Sequence, residues 1–234
     1  MASADWTLIS DVASSGDIKR GVTAGITPPP SGVSNVFTYG MASQTNTPGT
    51  VALYSSLGGF APLTKGGEVR AAMLRKGSAG TTLYAPFIFL GLNGTGSTNL
   101  AYILGLSDSE PSHITLRKGT LAGGVPDAIV GSQGVLARSS FTVAKDTWTH
   151  LRLEVVNNPG GDVVLNCYQS DLSAHNVDSP SWVAIPGLGQ IIDDALGINT
   201  GSAPLIGGRV GFGMVSSDVG RVVAFDQCIT IAQN

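Results

Sequence analysis

The run Trp148-Thr149-His150-Leu151-Arg152-Leu153-Glu154-Val155-Val156 alternates apolar and polar residues, and it constrains the fold more than any other part of the chain. A period of two places Leu151, Leu153 and Val155 on one face of an extended strand, and His150, Arg152 and Glu154 on the other. Asn157-Asn158-Pro159-Gly160-Gly161 then reverses the chain, and Asp162 to Tyr168 puts Val163, Leu165 and Cys167 on a shared side. The pattern is a hairpin with a longer loop, its apolar face turned to a core.

The closing segment repeats this logic. In Arg209-Val210-Gly211-Phe212-Gly213-Met214, glycine alternates with large apolar residues, so Val210, Phe212 and Met214 enter the core and glycine admits a neighbouring backbone. Ser216 to Gly220 turns the chain. Arg221 to Ile231 is then expected to send Val223, Phe225, Ile229 and Ile231 to one face and Asp226 to the other. Earlier β-prone runs at Val36 to Met41, Thr50 to Ser55, Gly67 to Arg75, Tyr84 to Leu92 and Leu100 to Leu106 are separated by Gly, Pro, Asn and Ser clusters. Charged residues make up only 12% of the chain against 32 Gly and 12 Pro, which suits short strands and tight turns rather than solvent-facing helices. One short helix is expected around Gln190 to Leu196.

Two parts follow from this reading: residues 1–34, an N-terminal strand and a Pro/Gly/Ser-rich arm packed on the body, and residues 35–234, a β-sandwich domain. Leu74 to Ser78 and Leu116 to Thr120 echo each other as similar strand ends entering glycine turns, not as a repeat architecture. A net charge of −3 gives no cationic field for a nucleic-acid backbone, so nucleic acid is not an expected partner. No apolar stretch approaches the roughly 20 residues of a membrane span. The first residues lack the basic-then-apolar order of a secretory signal, so synthesis in a cytoplasm is expected. Cys167 and Cys228 are expected as buried strand thiols, and sequence leaves their pairing open.

The order Trp-Thr-His-Leu-Arg-Leu-Glu, the Gly161-Asp162 turn, Trp182 ahead of Ile185-Pro186-Gly187, then Gly208 to Gly213 and Val223 to Asp226 resembles concanavalin A-like lectin and glucanase sandwiches. The resemblance covers roughly residues 148–231 and implies an all-β, antiparallel two-sheet jelly roll. The whole chain is also similar to uncharacterised proteins encoded among tailed-phage structural genes, through Ile18 to Gly21, Phe60 to Gly67, Leu116 to Gly119 and Leu196 to Pro204. That second resemblance implies a structural component of a phage particle, made in the host cytoplasm and carried on the virion. It would be a decoration, collar or tail-surface protein that contacts other phage structural proteins and forms homo-oligomers. The alternative is a lectin-like module for host surface glycans.

Candidate chemistry is sparse, and neither an enzyme, a cofactor nor a metal is expected. The Glu-x-Asp-x-x-Glu and Glu-x-Asp-x-Glu patterns of the resembling glucanases are absent, and Asp108-Ser109-Glu110 runs directly into Pro111, which favours a turn. Asp193-Asp194 could in principle meet calcium but reads more simply as capping groups. His113, His150 and His175 are scattered, with no nucleophile elbow beside them. Cys167 with His150 or His175 would be a thiol–base pair only if the fold joined them. Gly94-Thr95-Gly96 and Gly211-Phe212-Gly213 lack the rest of a nucleotide fingerprint. For a glycan, the candidate stacking residues are Trp182, Tyr168 and Trp6.

Overall fold

A computed structural model of the chain describes residues 6–10, 17–20, 37–40, 49–55, 66–76, 84–94, 99–107, 111–121, 134–170, 180–194, 202–216 and 222–233. The strands are β1 (Trp6–Ser10), β2 (Asp17–Arg20), β3 (Phe37–Gly40), β4 (Gly49–Ser55), β5 (Gly66–Lys76), β6 (Tyr84–Leu92), β7 (Leu100–Leu106) and β8 (Ser112–Thr120). They continue as β9 (Val135–Val143), β10 (Thr149–Asn157), β11 (Val163–Ser170), β12 (Trp182–Ala184), β13 (Gln190–Asp193), β14 (Arg209–Ser216) and β15 (Val222–Gln233). Among the described residues, one sheet has seven strands in the order β1-β4-β14-β6-β7-β8-β9. The other has eight: β12-β11-β10-β5-β15-β3-β2, with β13 also on β11. Every pairing is antiparallel. No helix among the described residues is long and apolar enough to cross a membrane. The arm at Gly25 to Ser34 lies outside the described residues.

The predicted hairpin forms as β10 and β11, with Leu153 opposite Cys167 and Val155 opposite Leu165. Their inward side chains join Val69, Met73, Ile88, Leu104, Leu116, Phe212, Met214 and Phe225 in one core between the sheets. Burying each large apolar side chain contributes about 1.5–3 kcal/mol, and this layer is what joins the sheets. The central strands β6 and β7 are shielded on both faces: Phe87, Phe89, Ala101 and Ile103 form a second apolar cluster on the far side of the seven-stranded sheet. Arg117 points to that side too, 2% exposed, with burial pushing its guanidinium down to about 10 and Nη2 bonded to the Thr120 carbonyl.

Two expectations change. Gln190 to Asp193 is a strand rather than the start of a helix, because β11 offers an open edge that these four residues pair with in register. In β15 the alternation breaks: a bulge between Asp226 and Ile229 inserts one residue, so Cys228 enters the core while Ile229 and Ile231 face outward at 37% and 43% exposure. Cys167 and Cys228 are both buried free thiols, raised by burial. They sit about three strand spacings apart, roughly 14 Å, too far for a disulfide.

β12 and β13 are halves of one edge strand, split by Ile185 to Gly189. The ladder resumes across the split, since Ile185 N–H donates to the Cys167 carbonyl and Cys167 N–H to that of Gly189. The excursion reaches the other sheet, where Ser140 N–H donates to the Pro186 carbonyl at 2.9 Å. Gly187 has φ 89°, and a Cβ there would come within 2.7 Å of the Arg138 carbonyl oxygen. The edges of both sheets are thereby tied together.

Behind this tie, Asp193 points into the core. Its Oδ2 accepts from Lys118 Nζ at 2.7 Å and from Tyr102 Oη at 2.5 Å. Lys118 places its other N–H bonds on the carbonyls of Ser202 and Ala203, and Leu205 N–H donates to Tyr102 Oη. Lys118 and Asp193 side chains are 1% and 0% exposed, so each charge depends on the other. Lys118→Met is expected to cost about 3–5 kcal/mol in urea unfolding, with Lys118→Met/Asp193→Leu recovering a large part of it. Equal costs for the single and double variants would show that the pair is not the stabilising element.

Candidate functional site

The outward face of the eight-stranded sheet follows from strand register. Trp182, Ser170, His150 and Ala72 lie side by side on β12, β11, β10 and β5. The next row reads Ala184, Tyr168, Arg152, Arg70 and, on β15, Ile229. The third reads Gln190, Asn166, Glu154, Glu68 and Ile231. The polar half of the alternation that defined the hairpin is therefore not scattered over solvent. It meets the polar halves of three neighbouring strands on one surface.

Arg152 is the centre of that surface. Its guanidinium carbon lies 4.9 Å from the Tyr168 ring centre and 5.9 Å from that of Trp182, within cation–π range. Arg152 Nε is 2.8 Å from Glu68 Oε2 as an ion pair, without the alignment of a hydrogen bond, and Nη2 donates to Glu154 Oε1 at 3.2 Å. Glu154 Oε2 accepts from Asn166, whose own carbonyl oxygen accepts from Gln190. Amide, carboxylate and guanidinium planes thus run across the sheet beside two aromatic rings. Burial first, then the Glu154 charge, raises the Tyr168 hydroxyl above its ordinary value and keeps it a hydrogen-bond donor.

The structure brings two of the three predicted stacking residues together. Trp182 and Tyr168 flank Arg152, whereas Trp6 begins β1 at an edge of the other sheet, its side chain outside the described residues. Sequence reading missed Arg152, Glu68 and Asn166 as members of the site. Alternation marked Arg152 as outward-facing, but only strand order places it between the rings. Glu68 and Glu154 sit opposite each other in register, and both are held by Arg152 instead of facing an empty cleft.

Other candidates resolve locally. Cys167 faces the core and His150 the outer surface, so they cannot form a thiol–base pair. His113 Nδ1 meets the carbonyl oxygens of Ser139 and Phe141. Asp193 is engaged by Lys118 and Tyr102, and no three His, Cys, Asp or Glu side chains among the described residues cluster as a metal site requires. Gly211 and Gly213 are strand residues of β14. Asp108 to Glu110, His175 and Thr95-Gly96 lie outside the described residues.

His150 is 2% exposed, with its ring 4.7 Å from that of Trp182 and Nδ1 paired with Ser170 Oγ at 3.0 Å. Burial, aided by the Arg70 charge, pushes its pKa down to about 4 from 6.5. The folded state thus favours neutral imidazole, and this stability is present above pH 6.5 and lost as pH falls towards 4. His150→Asn is expected to reduce the acid-induced stability loss between pH 7 and 4 by on the order of 3 kcal/mol, read from paired urea titrations. Parallel curves for both proteins would remove His150 as the cause.

No family model and no curated protein sequence matches the chain. Similar solved structures include the potassium-bound carbohydrate recognition domain of Emp46p, at 12% identity and a TM-score of 0.51 over 97% of this chain and 87% of that one. The carbohydrate recognition domain of Emp47p is similar at 9% identity and a TM-score of 0.50, over 98% and 89%. A protein of unknown function from Shewanella oneidensis MR-1 shares 9% identity and a TM-score of 0.54, over 100% and 82%. At such identities the likeness is one of fold, and the fold is an all-β, antiparallel two-sheet sandwich of the concanavalin A-like kind.

Proposed function

We propose that the chain is a non-catalytic carbohydrate-binding module that uses the outward face of its eight-stranded sheet. The observation that carries this reading is the meeting of Trp182 and Tyr168 with Arg152, Glu154, Asn166 and Gln190 on one half-exposed surface. A sugar ring offers an apolar C–H face and a rim of hydroxyls that both donate and accept. Aromatic rings suit the first, and planar amide, carboxylate and guanidinium groups suit the second. The sandwich type shared with the Emp46p and Emp47p carbohydrate recognition domains is consistent with such a use.

A second reading, the virion component implied by the phage-like phrases, is favoured by isoleucines at the margins of the same surface. Ile229 and Ile231, neighbours on β15, are 37% and 43% exposed, and Ile192 on the far edge is 49% exposed, apolar side chains that a partner surface would cover. In that reading the module is displayed as a homo-oligomer on a phage particle and contacts other structural proteins through this rim.

On a glycan array, the carbohydrate reading expects selective binding that Trp182→Ala and Tyr168→Ala each weaken about tenfold or more, at unchanged melting temperature. Selective binding that ignores both substitutions would move the site elsewhere. The virion reading expects oligomers in light scattering and attachment to purified particles lacking the protein, both reduced by Ile229→Lys/Ile231→Lys. A monomer that fails to attach would end it.

A further inference from the structure

A second feature adjoins the aromatic face. At the end of the sandwich where β9 approaches β12, an open pocket of about 660 Å³ is lined by Thr147, Trp148, His150, Gln169, Ser170 and Val183 among others. That volume lies within the roughly 300–1,000 Å³ range of small-molecule sites. It wraps the strand ends, taking His150 and Ser170 from the outward face and Val183 and Gln169 from the opposite one. On β12, Trp182 turns to the outer face while Val183, 59% exposed, turns to the pocket. On β11, Tyr168 and Gln169 divide in the same way.

Its chemistry is specific enough to name a ligand class. None of the described lining residues is charged; hydroxyl and amide groups alternate with the apolar surfaces of Trp148 and Val183. His150 adds a polar ring to the pocket wall. It lines the pocket, it is buried, and its Nε2 has no hydrogen-bond partner. With Nδ1 committed to Ser170, the ring retains one unused polar atom, and a buried group of this kind is normally satisfied. Nε2 is itself sealed from solvent, so a ligand hydroxyl reaches it by displacing a neighbouring side chain and then answers either tautomer of the ring. Because the His150 and Trp182 rings touch edge-on, the pocket and the aromatic face share a wall.

We propose that this pocket is a second sugar subsite, joined to the aromatic face across the His150–Trp182 contact and taking the next residue of a neutral oligosaccharide. The proposal rests on the carbohydrate-binding reading and adds chain length and ligand charge to it. A module with two adjoining subsites selects for extended glycans, since the second residue binds without a fresh association cost.

The test titrates the isotope-labelled full chain with glucose, mannose and galactose, and with neutral di- and trisaccharides of each, following the Trp182 and Trp148 indole N–H signals. Single sugars are expected to shift Trp182 alone. Di- or trisaccharides are expected to shift Trp148 and the Gln169 amide as well, with affinity rising about tenfold. Val183→Lys, at an exposed edge position, is expected to remove that gain and leave single-sugar affinity unchanged. Sugars of every length moving Trp182 without Trp148, with no gain in affinity, would overturn the subsite and leave the carbohydrate reading standing. Silence of both indoles in all three series would sink both.

Discussion

Asp193 sits in the apolar layer between two sheets, and much of the architecture is arranged around its carboxylate. A buried charge is tolerated only with a matched partner and filled hydrogen bonds. Lys118 meets three oxygen acceptors, from Asp193, Ser202 and Ala203, while Tyr102 relays the network to Leu205. Two strands are thus fixed to a single oxygen atom, and the segment Ser202 to Leu205 is held through them. Hydrophobic burial gives the sandwich its stability, and this network selects one arrangement of the edge. If β13 slipped by one residue on β11, Asp193 would turn outward and leave the Lys118 ammonium buried alone.

The outward face of the eight-stranded sheet inherits that constraint. β13 continues β12 on the same edge of β11, so the register that buries Asp193 also sets Gln190 beside Asn166 and Trp182 beside Ser170. Arg152 then finds both aromatic rings within reach. The layout of the face is therefore set from behind it. Its own hydrogen bonds and ion pairs are partly solvated and contribute modestly to stability.

The sequence was most informative where one face is wet and the other dry. The β10–β11 hairpin could be read from alternation alone, as could the apolar runs that become β4 to β7. β8 was legible only at its end, Leu116 to Thr120, because Arg117 and Lys118 look like solvent-facing residues and are both buried, while β9 went unread because Arg138, Ser139 and Ser140 interrupt its apolar pattern. β15 was half legible: a single inserted residue reverses the inward and outward sets after Asp226. Gln190 to Leu196 looked helical because a four-residue strand carries too little periodicity to compete with local preference. In the site, Trp182 and Tyr168 were visible as aromatic residues near strand ends. The part played by Glu68 was hidden, since it depends on β5 lying between β10 and β15.

The excursion from Ile185 to Gly189 also bears on how such a molecule can be crowded together safely. Sheet edges invite pairing with strands of other chains. Here the two sheets are bridged at one flank by backbone, because Pro186 accepts a hydrogen bond from Ser140 across the gap between them. The opposite flank ends in β1 and β2, each paired with one neighbour among the described strands. A strand added along β1 or β2 would lie at the flank away from Trp182, so that copies joined there keep the aromatic face uncovered.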